Sequence, residues 1–341
     1  MSFLSKMKPR VPLPATSRLF STARVVDFNG KENLTISLPD GRTLGYAEYG
    51  HLTGYPVFFF HGFLSSRLET YPLDRLALRR GIRIIAPDRP GFGLSSPQPH
   101  RRILDWPADV AAFADRLQIP RFAVLGCSGG GPYALACAHA LPREVMSAVG
   151  LFAAAPPWAA GAHHMSWYRR LTSWAAVYLP TGLAAVTSAL VGVLRWLVKT
   201  GPVTRWIDGL LEKLRSKEAK EEKELGLGED VQLTTEESRE RMLRLLFEGF
   251  RQGSTELVHE ARLLSDVDWG FRLEDVDYDP VKIWHGSKDA NAPIEAIRYM
   301  AERLPHSVLT EFGDDTHYTM AKYFSQALNE LVPEQELKSI N

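Results

Sequence analysis

The sequence predicts a doubly wound, mostly parallel α/β sheet with a helical cap inserted between two of its strands. Two observations predict the sheet. Apolar runs of strand length recur along the chain, and helical patterns separate them. The runs are also uninterrupted by polar residues, as befits strands buried on both faces. A third observation predicts the cap: from about Pro156 to Phe271 the rhythm stops, and over a hundred residues read as helix.

The elements follow in order. Leu34–Leu38 and Arg42–Tyr49 flank the turn Pro39-Asp40-Gly41 and predict a hairpin. Pro56–Phe60, Ile82–Ala86, Phe122–Gly126 and Ala148–Ala153 predict four buried strands. The intervening segments Leu68–Arg80, Ile103–Leu117 and Gly130–Leu141 have helical patterns. The alternation resumes with Val281–Trp284 as strand and Pro293–Leu304 as helix. Val308–Phe312 then reads as strand and Tyr318–Leu331 as the closing helix. The domain reading is therefore a tail over 1–28, core over 29–155, cap over 156–271 and core again over 272–341. The chain contains no internal repeat.

Within the cap, Leu171 to Leu194 contains no charged residue, a length that could span a bilayer. A single crossing would put the strands before and after it on opposite sides and prevent the sheet from assembling. Pro180 and Gly182 also interrupt it. The expectation is a set of apolar cap helices lining a pocket, with shallow peripheral membrane contact as the alternative. Glu212–Glu224, a dense run of Lys and Glu, reads as a solvated helix face.

Composition narrows the function class. The chain has 341 residues, 45% of them apolar and 23% charged, with forty basic residues against forty acidic. That balance supplies no field for nucleic acid, so no nucleic-acid partner is expected. Cys127 and Cys137 are the two cysteines, too far apart across a strand end and a helix to bridge. They suggest a reducing, intracellular compartment. Met1 to Val26 has no acidic residue but carries Lys6, Lys8, Arg10, Arg18 and Arg24, a bias like that of a mitochondrial transit peptide. Arg18-Leu19-Phe20-Ser21 resembles a processing site, whereas Pro9, Pro12 and Pro14 would break an amphipathic targeting helix. Mitochondrial and cytoplasmic locations are both carried forward.

Chemistry is concentrated in Gly126-Cys127-Ser128-Gly129-Gly130, a G-x-S-x-G sequence between the strand ending near Leu125 and the helix opening near Gly130. Strand, sharp turn and helix present such a serine as a nucleophile. The glycines two residues either side avoid collisions there. The helix N-terminus favours developing negative charge, and the N–H of Gly129 can donate to an oxyanion. A second donor, the N–H of Phe63, is expected from His61-Gly62-Phe63-Leu64 after the strand Pro56–Phe60. His61 is read as shaping that loop.

A serine hydroxyl needs a neighbouring base. Two partners stand in the order Ser, Asp, His that this fold class uses: Asp289 after the strand Val281–Trp284, and His317 after Val308–Phe312. Both fall at the carboxyl edge of the sheet, with Ser128. Asp314 and Asp315 are rivals for the acid but lie on the loop of His317 itself. Asp88 and Arg89 are read as loop-holding residues, and His163-His164 as cap surface with no metal.

In register, Phe60-His61-Gly62-Phe63, Asp88-Arg89-Pro90-Gly91-Phe92-Gly93-Leu94-Ser95, Gly126-Cys127-Ser128-Gly129-Gly130, Trp284-His285-Gly286-Ser287-Lys288-Asp289 and Gly313-Asp314-Asp315-Thr316-His317 resemble the α/β-hydrolase superfamily, in its capped single-domain form. The resemblance covers about residues 30–155 and 272–335 and leaves the cap unplaced. It implies Ser128 as nucleophile, His317 as base and then acid, Asp289 as orienting carboxylate, and no cofactor. The expected reaction is hydrolysis of a carboxylic ester through an acyl-enzyme. The cap's Trp167, Trp174, Trp196 and Trp206 suggest an apolar group on the substrate. Carbon–carbon, thioester and peptide hydrolysis use the same residues, and a binding protein that has lost turnover is a further alternative.

Overall fold

The computed structural model describes residues 30–224 and 233–332, with side chains from 217 to 232 outside that description. The N-terminal tail therefore lies outside the described residues, as do most side chains of the Lys/Glu run. Eight strands form one sheet: β1 (Leu34–Ser37), β2 (Thr43–Gly50), β3 (Tyr55–Phe60), β4 (Ile82–Pro87), β5 (Phe122–Cys127), β6 (Met146–Phe152), β7 (Val281–Gly286) and β8 (Ser307–Phe312). Their order is β1-β2-β4-β3-β5-β6-β7-β8. The pairs β1–β2 and β2–β4 are antiparallel, and all the others are parallel. The doubly wound, mostly parallel sheet is thus as the sequence predicts.

The apolar runs bury both faces because successive strand side chains point to opposite sides. On β3, Phe58 and Phe60 pack into one core layer while Val57 and Phe59 pack into the other. On β5 the same division separates Phe122 and Val124 from Ala123 and Leu125. Each such burial stabilises the fold by roughly 1.5–3 kcal/mol for a large side chain. The stacked pair Phe58–Phe122, 4.3 Å between ring centres, joins the two strands across one layer.

Helices α1 (Asp74–Arg79), α2 (Trp106–Arg116), α3 (Gly131–Ala140), α9 (Ile294–Arg303) and α10 (Phe324–Leu331) cover the sheet. Three expected helices open as 3-10 turns, one of them over Ile103–Asp105 before α2. Arg67–Leu73 is a 3-10 turn preceding α1, and it contains Pro72, which lacks the N–H that an α-helix requires. The closing segment likewise opens as a 3-10 turn over Thr319–Tyr323 before α10.

Between β6 and β7 the chain leaves the sheet for α4 (Trp167–Tyr178), α5 (Pro180–Leu197), α6 (Gly201–Glu224), α7 (Thr235–Glu248) and α8 (Thr255–Leu264). The uncharged stretch is divided between α4 and α5 at Leu179. Pro180 starts α5, where its missing N–H costs nothing. Gly182, read above as an interruption, sits within the first turn of α5, which continues through it.

Buried ion pairs bind the insertion to the sheet domain, those of Arg67 and Arg89 among them. Arg67 meets Asp88 at 2.9 Å and Glu248 of α7 at 2.7 Å. Arg89, in the turn after β4, meets Glu260 of α8 at 2.7 Å.

Candidate active site

Ser128 has a left-handed backbone, φ 49°, at the tip of the β5–α3 turn. A Cβ at Gly126 would lie 2.6 Å from the carbonyl oxygen of Gly130, and one at Gly130 would lie 2.1 Å from that of Phe60. The two outer glycines are therefore steric requirements of the turn, and the turn lifts the serine clear of the sheet.

Three sequence-predicted residues converge from separate loops. His317 Nε2 lies 3.1 Å from Ser128 Oγ, and His317 Nδ1 lies 2.6 Å from Asp289 Oδ2. The carboxylate fixes the tautomer: Nδ1–H donates to Asp289, which leaves Nε2 to accept from the serine hydroxyl. Asp289 is held in turn, its Oδ1 accepting from the N–H groups of Asn291 and Ala292, both at 2.8 Å. The rivals are engaged elsewhere, Asp314 by Lys288 at 2.7 Å and Asp315 by Lys322 at 2.7 Å.

The loop after β3 lies beside this group. A Cβ at Gly129 would be 2.7 Å from the N of Phe63, so the two backbone segments named for an oxyanion are neighbours. A Cβ at Gly62 would be 3.3 Å from that of Ser128. His61 is wholly buried and serves the loop, as read from the sequence. Its Nε2 accepts from the N–H of Arg89 at 3.2 Å, so Nδ1 carries the proton and donates to Gly62 O at 2.9 Å. Burial, reinforced by the charge of Arg89, pushes its pKa well below the ordinary histidine value. Arg89 also donates to the carbonyls of His61 and Gly62. Asp88 accepts from Arg67 and from the N–H of Leu94. The Asp88-Arg89 turn thus braces the loop.

Glu69 is a residue the sequence reading missed. Its Oε2 accepts from Gly62 N–H at 2.6 Å, one residue before Phe63. Burial raises its pKa, although hydrogen bonds from Gly62, Ser65 and Cys127 oppose that rise. Its only mark in the sequence is its place seven residues beyond Gly62, which has no fixed meaning without the fold.

Ser128 and His317 open on a cavity of about 960 Å³ whose lining is mainly apolar. The core supplies Phe59, Phe152 and Phe324; the cap supplies Leu183, Leu257 and Leu264. Its size is at the upper end of the range for small-molecule sites. Arg169, Thr172 and Ser173 of α4 also line it, and nothing in the sequence marked them. His163 and His164 stack on one another, 4.0 Å between ring centres. Among the described residues, no cluster of three His, Cys, Asp or Glu side chains forms a metal site.

The sequence profile of the alpha/beta hydrolase fold matches residues 55–168, the stretch from β3 through Ser128 to the start of α4. That match and the eight-stranded, mostly parallel sheet agree on the fold. Over that stretch the chain is similar to the α/β-hydrolase family, and its sheet has the α/β-hydrolase fold. Among characterised relatives, a non-heme chloroperoxidase of Streptomyces lividans is 36% identical over 125 residues, covering 36% of this chain and 45% of that protein. The chain thus spans less than half the length of that relative. Solved structures extend the likeness of fold to nearly the whole hydrolase-fold chain. A bromoperoxidase from Bacillus anthracis superposes with a TM-score of 0.58 at 21% identity, covering 88% of this chain and 99% of the other. An esterase from Exiguobacterium antarcticum gives 0.56 at 21%, covering 87% and 98%.

Proposed function

We propose that the protein is a serine hydrolase that cleaves a carboxylic ester bearing an apolar group. The observation that carries this reading is the hydrogen-bonded line from Ser128 Oγ through His317 to Asp289, open to an apolar cavity. Ser128 Oγ attacks the acyl carbon while His317 Nε2 takes its proton. Asp289 stabilises the imidazolium that results. The N–H groups of Phe63 and Gly129 receive the oxyanion, in a site where they need no reorganisation. Collapse of the tetrahedral species passes the His317 proton to the leaving alcohol and leaves an acyl-enzyme. Water, deprotonated by His317, then releases the acid and regenerates Ser128.

Esterase and haloperoxidase are the names borne by proteins of this fold, so the likeness supports the scaffold and the site supports the chemistry. Labelling with a fluorophosphonate probe, followed by p-nitrophenyl esters of increasing acyl length, tests the reading. Labelling at Ser128 that requires His317, together with ester turnover, is the expected result. A folded protein that neither labels nor turns over any ester would instead be a non-catalytic binding protein.

One observation favours a further partner, a lipid surface. Helix α5 is apolar on every side, yet Val191 is its only buried residue. Leu183 and Thr187 face the cavity, while Val186, Leu190 and Val193 stand exposed. A helix apolar all round normally needs burial or a membrane. No acidic residue occurs from Ser166 to Ile207, whereas Arg170, Arg195, Lys199 and Arg205 do, a charge pattern suited to anionic headgroups. Flotation with liposomes containing phosphatidylserine should carry the wild type and leave behind a Leu190→Glu, Val193→Glu variant. Wild type that stays with the soluble fraction ends this reading.

A further inference from the structure

The buried arginines of this protein come with carboxylates, whereas Arg169, half-buried in the cavity wall, does not. Arg67 is paired with Asp88 and Glu248, Arg89 with Glu260, and Arg101 with Glu260. Arg169 lines the cavity that holds Ser128 and has no hydrogen bond or ion pair among the described residues. Its side chain is partly withdrawn from water, and burial lowers its pKa. A guanidinium without a counter-charge in such a place is costly to maintain unless something supplies the anion.

The two carboxyls that line or border the cavity are already committed. Asp289 accepts from Asn291 and Ala292 on one oxygen and from His317 on the other. Arg169 feels its charge without bonding to it. Glu69 is taken up by Gly62 N–H and is coupled electrostatically to Arg89. On α4, Arg169, Thr172 and Ser173 stand three and four residues apart, hence on one helix face, and all three line the cavity. The hydroxyls donate within the cap, Thr172 to Tyr168 O and Ser173 to Ser265 Oγ, which leaves the guanidinium as the free donor. A cationic fork in a largely apolar chamber is suited to one carboxylate group on an extended apolar ligand.

We infer that Arg169 is a specificity residue that binds a carboxylate of the substrate, so that the ester cleaved at Ser128 is the half-ester of a dicarboxylic acid or a similar anionic amphiphile. This rests on the hydrolase reading for what becomes of the ligand, although not for whether it binds. The apolar walls take the chain between the two ends, and the guanidinium takes the charged end. Neutral esters lack that anchor, so the site discriminates by charge as well as by length.

Binding to Ser128→Ala separates the two ideas because no turnover is needed. Calorimetry at pH 7.5 would compare monomethyl with dimethyl esters of succinate, glutarate, adipate and suberate. At least one half-ester should bind ten-fold or more tightly than its neutral diester. Adding Arg169→Met should bring that ratio close to one, and Arg169→Lys should retain part of it. A wild-type-cavity ratio near one for every chain length overturns the inference without any Arg169 variant, as does a ratio that survives Arg169→Met. Failure of ester turnover with the charge preference intact would remove the hydrolase reading and leave the carboxylate site standing.

Discussion

Arg89 Nε donates to Glu260 Oε1 at 2.7 Å with both side chains wholly buried, so the loop-bracing turn after β4 is locked to helix α8 of the insertion. Glu260 also accepts from Arg101 and from the hydroxyl of Tyr133, both at 2.8 Å. Burial works against its ionisation, yet Arg89 and Arg101 hold its pKa below the usual glutamate value. Glu260→Gln removes the carboxylate that bonds two buried guanidiniums. It should cost about 3–5 kcal/mol in urea unfolding. A loss below about 1 kcal/mol would mean that solvent or a local shift can neutralise the pair.

Asp289→Asn should leave the fold intact, because the amide oxygen can still accept from Asn291 and Ala292. The imidazole would lose its carboxylate and its preferred tautomer. Steady-state ester hydrolysis should fall by about 10³–10⁴-fold, with Ser128→Ala falling at least as far. An Asp289→Asn enzyme within ten-fold of wild type would require another orienting acid.

Gly129 and Gly130, adjacent in the chain, should fail differently. Gly130→Ala forces a Cβ to 2.1 Å from the Phe60 carbonyl and should destabilise the core by about 3 kcal/mol. Gly129→Ala places its methyl beside the Phe63 N–H that the mechanism uses. Its effect should appear mainly in kcat, down by roughly 10²–10³-fold, with a smaller change in melting temperature. Equal behaviour of the two variants in both assays would dissociate Phe63 from the oxyanion.

His61 and His285 are buried, and for each, burial is the leading cause of a pKa below the ordinary histidine value. Nitrogen chemical shifts followed against pH should show both rings titrating below the midpoint of a free histidine. The sign for stability follows from linkage. Below pH about 6.5 the unfolded chain takes up protons that these native rings refuse, so each ring lowers stability as pH falls from there towards its native pKa. Rings that titrate near 6.5 in the folded protein would contradict this.

The N-terminal segment supports a simple assay. If Arg18–Ser21 is a processing site, incubation with isolated mitochondria should shorten the chain by about twenty residues. An unshortened, protease-sensitive chain would favour the cytoplasmic reading.

What the sequence determined was whatever local pattern can express. Uninterrupted runs such as Pro56–Phe60 and Phe122–Gly126 specify strands buried on both faces, because only a two-sided core accepts apolar residues at odd and even positions alike. Gly126 and Ser128 specify the elbow locally, since the close approach at Gly126 is to Gly130, whereas Gly130 is required by the carbonyl of Phe60, a neighbour only in the folded chain. Chain order brought Asp289 and His317 under consideration with Ser128. Only the tertiary structure brought the three within hydrogen-bonding distance, across a sequence separation of 189 residues between Ser128 and His317. It also decided the role of charge: Glu69, Arg89 and Arg169 are similar in kind to many surface residues. Their difference lies in burial and in whether a counter-charge is within reach, properties of three-dimensional neighbours that no short-range periodicity encodes.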